Sequence, residues 1–98
     1  MIIYSIKIKI DKSIEHEWLD WMKNKHIPDL MDTELFETHE IYTIINGIKN
    51  NVFVIQYTLK NMVDFLKYEK EFAERFREEH KLKFKNKFSA KRIIMKKI

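Results

Sequence analysis

Residues 1–22 read MIIYSIKIKIDKSIEHEWLDWM, and the hydrophobic period changes once within them. Ile2, Tyr4, Ile6, Ile8 and Ile10 occupy every second position, with Ile3, Ser5, Lys7 and Lys9 between them. Neighbouring side chains of a strand point to opposite faces, so this alternation predicts a strand with one face buried. Beyond Asp11 the period lengthens, and Ile14, Trp18, Leu19, Trp21 and Met22 fall on one stripe of a helix. Asp11 and Ser13 are N-cap residue types, and Glu15 and Glu17 suit the positive end of a helix dipole. The spacing predicts a helix over residues 13–26. It should stop or kink near Pro28, whose ring opposes the carbonyl of Asn24 and turns Ile27 away from helical geometry.

Working outward, a short irregular or one-turn segment runs through Met31. Residues 36–45 then read as a strand, with Phe36, Thr38, Glu40, Tyr42 and Ile44 on one side and His39, Ile41 and Ile45 on the other. The single glycine lies in Asn46-Gly47, a hairpin signal, although a loop through Asn51 is longer than the tightest hairpin turn. Residues 52–59 form the return strand. Asn61 is the expected N-cap of a second helix, with Asp64 at its third position and Phe65, Leu66, Phe72, Ala73 and Phe76 carrying an inward stripe toward residue 84. Residues 88–98 close the chain as a fourth strand.

The order is βαββαβ, which predicts one α+β domain over residues 1–98. It is the ferredoxin-like fold, a four-stranded antiparallel sheet with two helices on one face. Helices cover only one side of such a sheet, yet residues 52–55 are apolar on both sides. The second face therefore needs a cover. A second copy of the chain, sheet against sheet, is the least costly one, which predicts a homodimer. Single-stranded RNA is the alternative cover.

Composition narrows the function classes. Of 98 residues 45% are hydrophobic, enough to build a core and too many for an extended disordered chain. Cysteine is absent, which excludes disulfides, thiol catalysis and iron–sulfur clusters and is compatible with a reducing cytoplasm, the expected location. The apolar runs, four residues long at 52–55, are too short for a membrane span. The net charge of +4 is uneven, because residues 81–98 hold eight lysines or arginines and no acid. Such a basic end fits an anionic partner, or simply a solvated lysine-rich strand.

The string Trp18-Leu19-Asp20-Trp21-Met22, then His26-Ile27-Pro28, Gln56-Tyr57 in the third strand, and Phe84 and Phe88 before the last strand, resembles an uncharacterised bacterial family of unknown function. The likeness spans essentially the whole chain. More distantly, a helix ending in His-x-Pro resembles the dimeric α/β-barrel superfamily, which includes cofactor-free monooxygenases and muconolactone-isomerase-like proteins. That resemblance implies two sheets closing a barrel in a homodimer. It implies no particular reaction.

On a regular helix His26 falls near Met22 and Leu19, at the edge of the buried stripe, while His16 faces solvent. His80 follows Phe76 by four residues on the inward face, and Glu69 follows Phe65 by four, in the middle of it. An acid facing a core costs several kcal/mol unless it is paired. His26, Gln56, Tyr68, Glu69 and His80, walled by Trp18 and Trp21, are thus the expected small-molecule-binding pocket between helices and sheet. The plainer reading makes His26 a dipole-complementing core residue at a helix end, and pairs Glu69 with Arg75 or a partner chain.

Other chemistries lack their residues. No His-x-His or i,i+4 pair of ligands supports a metal at His26, His80 and Glu69, and no cofactor motif is present. Ser5, Ser13 and Ser89 sit in no glycine-rich elbow. Any enzyme would move a proton through His26 or His80 on an activated small molecule, as in cofactor-free oxygenation or isomerisation. RNA-recognition modules share the element order and stack bases on strand aromatics. Here Asn51 and Gln56 occupy two of the three aromatic positions expected in the third strand, so nucleic acid is not the expected partner.

Overall fold

A computed structural model describes residues 1–47 and 51–98. Four strands, β1 (Ile2–Ile10), β2 (Thr38–Thr43), β3 (Val52–Leu59) and β4 (Phe88–Lys96), form one antiparallel sheet in the order β2-β3-β1-β4. Two helical runs cover one of its faces, so the fold is the ferredoxin-like α+β arrangement that the alternating periods predict. β1 buries Ile2, Tyr4, Ile8 and Ile10, and β3 buries Phe53, Ile55, Tyr57 and Leu59 against the helices.

The first helical run opens with a tight turn at Lys12–Ile14, capped by the Asp11 carboxylate, which accepts from the backbone N–H of Ser13 at 2.9 Å and from its hydroxyl at 2.7 Å. It continues as α1 (Glu15–Trp21), a π turn (Met22–His26) and α2 (Ile27–Met31). Pro28 does not end this run as expected. In the π turn the Ile27 N–H donates to the Met22 carbonyl, five residues back. The hydrogen-bond ladder is therefore already changing register where the proline lacks its N–H, and the helix carries on to Met31.

The second run is α3 (Met62–Tyr68), a π turn (Glu69–Ala73) and α4 (Glu74–Lys83). The Asn61 side chain caps it as expected, accepting from the Asp64 N–H at 3.0 Å. Each π turn holds one residue more than an α turn, and the buried positions record it. Trp18, Met22, Ile27 and Leu30 are buried in the first run, and Phe65, Tyr68, Ala73, Phe76 and His80 in the second. Each series contains one step of five, from Met22 to Ile27 and from Tyr68 to Ala73. Counting by fours from Phe65 therefore misplaces Glu69, which sits beside the stripe and not in it.

β2 is shorter than the predicted 36–45. Phe36 precedes the strand and turns into the core, its ring tilted against that of Tyr57 with 4.9 Å between centroids. β4 likewise ends at Lys96 and not at residue 98. The hairpin between β2 and β3 is present, but Gly47 does not adopt a positive φ and no atom lies within 4 Å of where its Cβ would stand. Asn46-Gly47 is thus not the two-residue turn that this dipeptide favours, and loop residues 48–50 lie outside the described residues.

The uncovered face carries Ile3, Ser5 and Lys7 from β1, Val54 and Gln56 from β3, Glu40 and Tyr42 from β2, and Lys91, Ile93 and Met95 from β4. Among the described residues no helix is long and apolar enough to cross a membrane.

Deleting one residue from the π turn should let the second run relax to a regular helix with both flanking stripes still facing the sheet. Deletion of exposed Lys70 should cost on the order of 1 kcal/mol, whereas deletion of Glu78 in regular α4 swings His80 and Phe84 off the stripe by about 100° and should cost several kcal/mol. Urea denaturation of the two variants compares them, and equal losses would contradict the spacing argument.

Candidate functional site

The π turn of the first run sets Met22 and His26 over the sheet, and the second run sets Tyr68, Phe76, Arg77 and His80 opposite them. With Tyr4, Ile6 and Ile8 of β1, Tyr57 of β3 and Arg92 of β4 they enclose a cavity of about 40 Å³, room for roughly three waters. Of its wall residues Arg92 is the exposed one, and it lies opposite the part-exposed Ile6 of β1, which puts the mouth on the β1–β4 side.

His80 is held from behind. The Trp18 indole N–H donates to its Nε2 at 2.9 Å, a buried bond that joins the two helical runs. An indole N–H can only donate, so the neutral ring of His80 carries its proton on Nδ1. His80 stands edge-on to Phe88, with centroids 4.2 Å apart, and its ring centroid lies 5.9 Å from that of His26. His26 stacks on Trp21 at 5.1 Å, and its Nδ1 is buried with no hydrogen-bond partner. Burial pushes the His26 pKa down to about 4, the cations Arg92 and Lys25 adding to the effect and Asp29 opposing it. Burial, His26 and Arg92 likewise push His80 down to about 4. Both rings are neutral at pH 7.

Arg77 is pinned at the other side. Its Nη2 donates to Glu69 Oε1 at 2.6 Å and to the Tyr4 hydroxyl at 3.1 Å, and its Nη1 reaches Glu69 Oε2 at 3.4 Å. Burial opposes its charge, but the bonds to Tyr4 and Glu69 outweigh that cost and hold the guanidinium above its ordinary pKa. Its Nε is buried without a partner. Tyr57 and Tyr68 are pushed up by burial, with the neighbouring tyrosines adding to it, so both remain protonated hydroxyls.

Of the residues singled out from sequence, His26, Tyr68 and His80 line the cavity. Trp18 and Trp21 do not: Trp18 is fully buried behind His80, and Trp21 backs His26. Glu69 is bonded aside by Arg77 rather than by Arg75, whose guanidinium lies over the Phe76 ring at 4.8 Å. Gln56 belongs to the opposite face of the sheet, in register with Ser5 and Glu40, because strand alternation sends Tyr57 inward and Gln56 outward. Sequence reasoning missed Tyr4, Tyr57, Arg77 and Arg92. Arg92 had left a signal, since it is in phase with Phe88 and Ala90 on β4, whereas Arg77 was hidden by the extra residue upstream. Among the described residues no group of three histidines or acids is placed to hold a metal ion.

Over residues 1–98 the chain matches the family described as Domain of unknown function (DUF4286), and it belongs to that family. No curated protein matches it. Several solved structures share its fold. HapK from Hahella chejuensis has a TM-score of 0.74 at 11% identity, covering 100% of this chain and 93% of that one. SnoaB, a cofactor-independent oxygenase from Streptomyces nogalater solved as a point mutant, has a TM-score of 0.74 at 9% identity, covering 98% and 91%. An ethyl tert-butyl ether D family protein from Bacillus halodurans has a TM-score of 0.69 at 8% identity, covering 100% of both chains. At such identities the likeness is one of fold.

The two depressed histidines make stability depend on pH. Unfolded, each takes up a proton near 6.5, while in the fold it stays neutral to about 4. The unfolded chain binds more protons between those values, so stability is full above pH ~6.5 and falls as pH drops toward 4. The expected loss is ~2 kcal/mol per histidine between pH 7 and 5. Urea denaturation at both pH values measures it, and His26→Phe should remove about half of the dependence.

Proposed function

We propose that the cavity between helices and sheet is the binding site of a small organic molecule. The observation that carries this reading is that two buried polar atoms without partners, His26 Nδ1 and Arg77 Nε, belong to side chains of the same cavity wall. A buried polar group left unpaired costs ~1–3 kcal/mol. Two such groups beside one cavity make sense where a ligand completes them. The surrounding wall is apolar and aromatic, as in ordinary ligand clefts.

The protein acts, in this reading, as a homodimer joined through the uncovered sheet faces. Ile93 is 58% exposed and Tyr42 49% exposed on that face, while Ile3 and Val54 are half-buried there. Lys7 stands directly opposite Lys91, a like-charge pair that destabilises a sheet facing water. A second copy turned about an axis parallel to the strands lays the Glu40 edge of one sheet over the Lys91 edge of the other. That relieves the repulsion and covers the apolar residues together. RNA finds little to stack on here, because Tyr42 is the aromatic that the described residues present on this face.

A second reading, cofactor-free oxygenation or isomerisation, is favoured by the pair of neutral imidazoles. A ring fixed as an Nδ1–H donor beside one with an unpartnered Nδ1 suits proton transfer to and from an activated substrate. The similar fold of a protein described as a cofactor-independent oxygenase supports it. Its mark would be a bound compound that is chemically altered by the wild type and bound but unaltered by His26→Ala.

Screening small organic molecules of about four non-hydrogen atoms, the size of about three waters, by thermal unfolding tests the site. A ligand at ten times its Kd should raise Tm by on the order of 5 °C, and Ile6→Trp, which fills the cavity, should abolish the rise. Hits that survive Ile6→Trp would place binding elsewhere. Sedimentation equilibrium should give about twice 12.1 kDa for the wild type and 12.1 kDa for Ile93→Asp. A monomeric wild type would remove the dimer from this reading.

A further inference from the structure

We propose that the molecule taken by this cavity is a small monoanion, a short carboxylate or an enolate, and that Arg92 selects it by charge. The inference rests on the cavity being a ligand site, and adds what the wall asks of the ligand.

The first observation is the charge of the wall. It contains two guanidiniums, Arg77 and Arg92, and no aspartate or glutamate. Arg77 is balanced by the two-pronged pair with Glu69. Among the described residues Arg92 has no ion pair, so one positive charge at the mouth is left uncompensated. Other charges nearby cancel: Lys25 and Asp29, beside His26, are bonded to each other outside the cavity. The imidazoles add no charge at neutral pH. The wall therefore carries one net positive charge.

The second observation is the balance of hydrogen-bonding capacity. The lining side chains bring several donors: the His80 Nδ1–H, set by the Trp18 bond, the unpartnered Nε–H of Arg77, and the N–H groups of Arg92. The hydroxyls of Tyr57 and Tyr68 can join them. Against these stands a single acceptor nitrogen on His26. A wall so rich in donors is complementary to an acceptor-only group, and an ionised oxygen makes the stronger bonds to arginine. A cationic guest without acceptors would leave those donors unpaired, at the cost already noted for buried polar groups, and a neutral acceptor would pair them only with the weaker, uncharged bonds. Arg92 is the specificity-determining residue because its charge is free and because β4 places it where a ligand enters, opposite Ile6.

Acetate and acetamide have nearly the same shape, are small enough for a space of about three waters, and differ in charge at pH 7, so their binding to the full-length protein separates the claims. By titration calorimetry or NMR, acetate should bind about tenfold more tightly than acetamide. Arg92→Gln, a change at an exposed position, should erase that preference by weakening acetate far more than acetamide. Equal binding of the two by the wild type would overturn the charge selection while leaving the cavity a ligand site. Binding of neither would bring down the site reading and this inference with it. An acetate preference that persists in Arg92→Gln, with resonance shifts on the lysine-bearing face of the sheet, would overturn the role of Arg92.

Discussion

The bond from the Trp18 indole to His80 Nε2 is the contact on which the interior of this protein is arranged. It is buried, it spans 62 residues of sequence, and it ties the first helical run to the second above the sheet. Trp18 also packs on Phe53 of β3, with ring centroids 5.1 Å apart, so three layers of the core meet at one indole. A histidine placed there without this donor would have an unsatisfied nitrogen inside an aromatic cluster. With it, the ring is oriented and its tautomer is fixed, so that its second nitrogen is left as a donor. Core packing and site chemistry share one side chain.

The fold was legible because the periods are clean. Alternation in residues 2–10 and 52–59, helical spacing after Asp11 and Asn61, and the caps at both places lead to the observed order of elements. The site was legible only in part, and the reason is mechanical. A π turn is an inserted residue whose effect is local, and nothing in residue type at Met22–His26 or Glu69–Ala73 announces it. Regular counting survives on either side of the turn but fails across it. Hence Tyr68 and His80 were recognised as inward and Arg77, beyond the turn, was overlooked, while Glu69, at the turn's first position, was set in the stripe although it lies at its edge. Gln56 failed for a different reason, since which side of a strand meets the helices is decided by the large buried side chains of Phe53, Ile55 and Tyr57.

The polar interior is costly, and it is distributed unevenly. At one end of the core Tyr4, Phe36, Tyr57, Phe65 and Tyr68 pack as a dense ring cluster, with centroid separations such as 5.2 Å between Tyr4 and Phe65. At the other end Trp21, His26, His80 and Phe84 form a second cluster in which rings with nitrogen replace phenyl groups. The cavity lies where the two meet. His80 meets the buried indole of Trp18, but replacing His26 by phenylalanine would remove an unpartnered nitrogen and relieve its desolvation, so a demand other than stability favours the imidazole there. The π turns point the same way, since an inserted turn at a cavity wall re-aims side chains that a regular helix would direct elsewhere.

The sheet separates two problems that share no side chain. Residues of one parity, Tyr4, Ile6 and Tyr57 among them, face the cavity; those of the other, including Ser5, Lys7 and Gln56, face outward. Because alternation is strict along β1 and β3, a substitution on the outer face leaves the cavity wall chemically intact, and the reverse holds as well. The two faces can then be altered independently, with coupling passing only through the backbone. Arg92 and Lys91, adjacent on β4, show how sharply the division falls. One guanidinium reaches around to the cavity mouth while its neighbour joins Lys7 on the opposite face. A basic strand that looks uniform in sequence thus divides its charges between the two faces of the sheet, and net charge alone does not reveal the division.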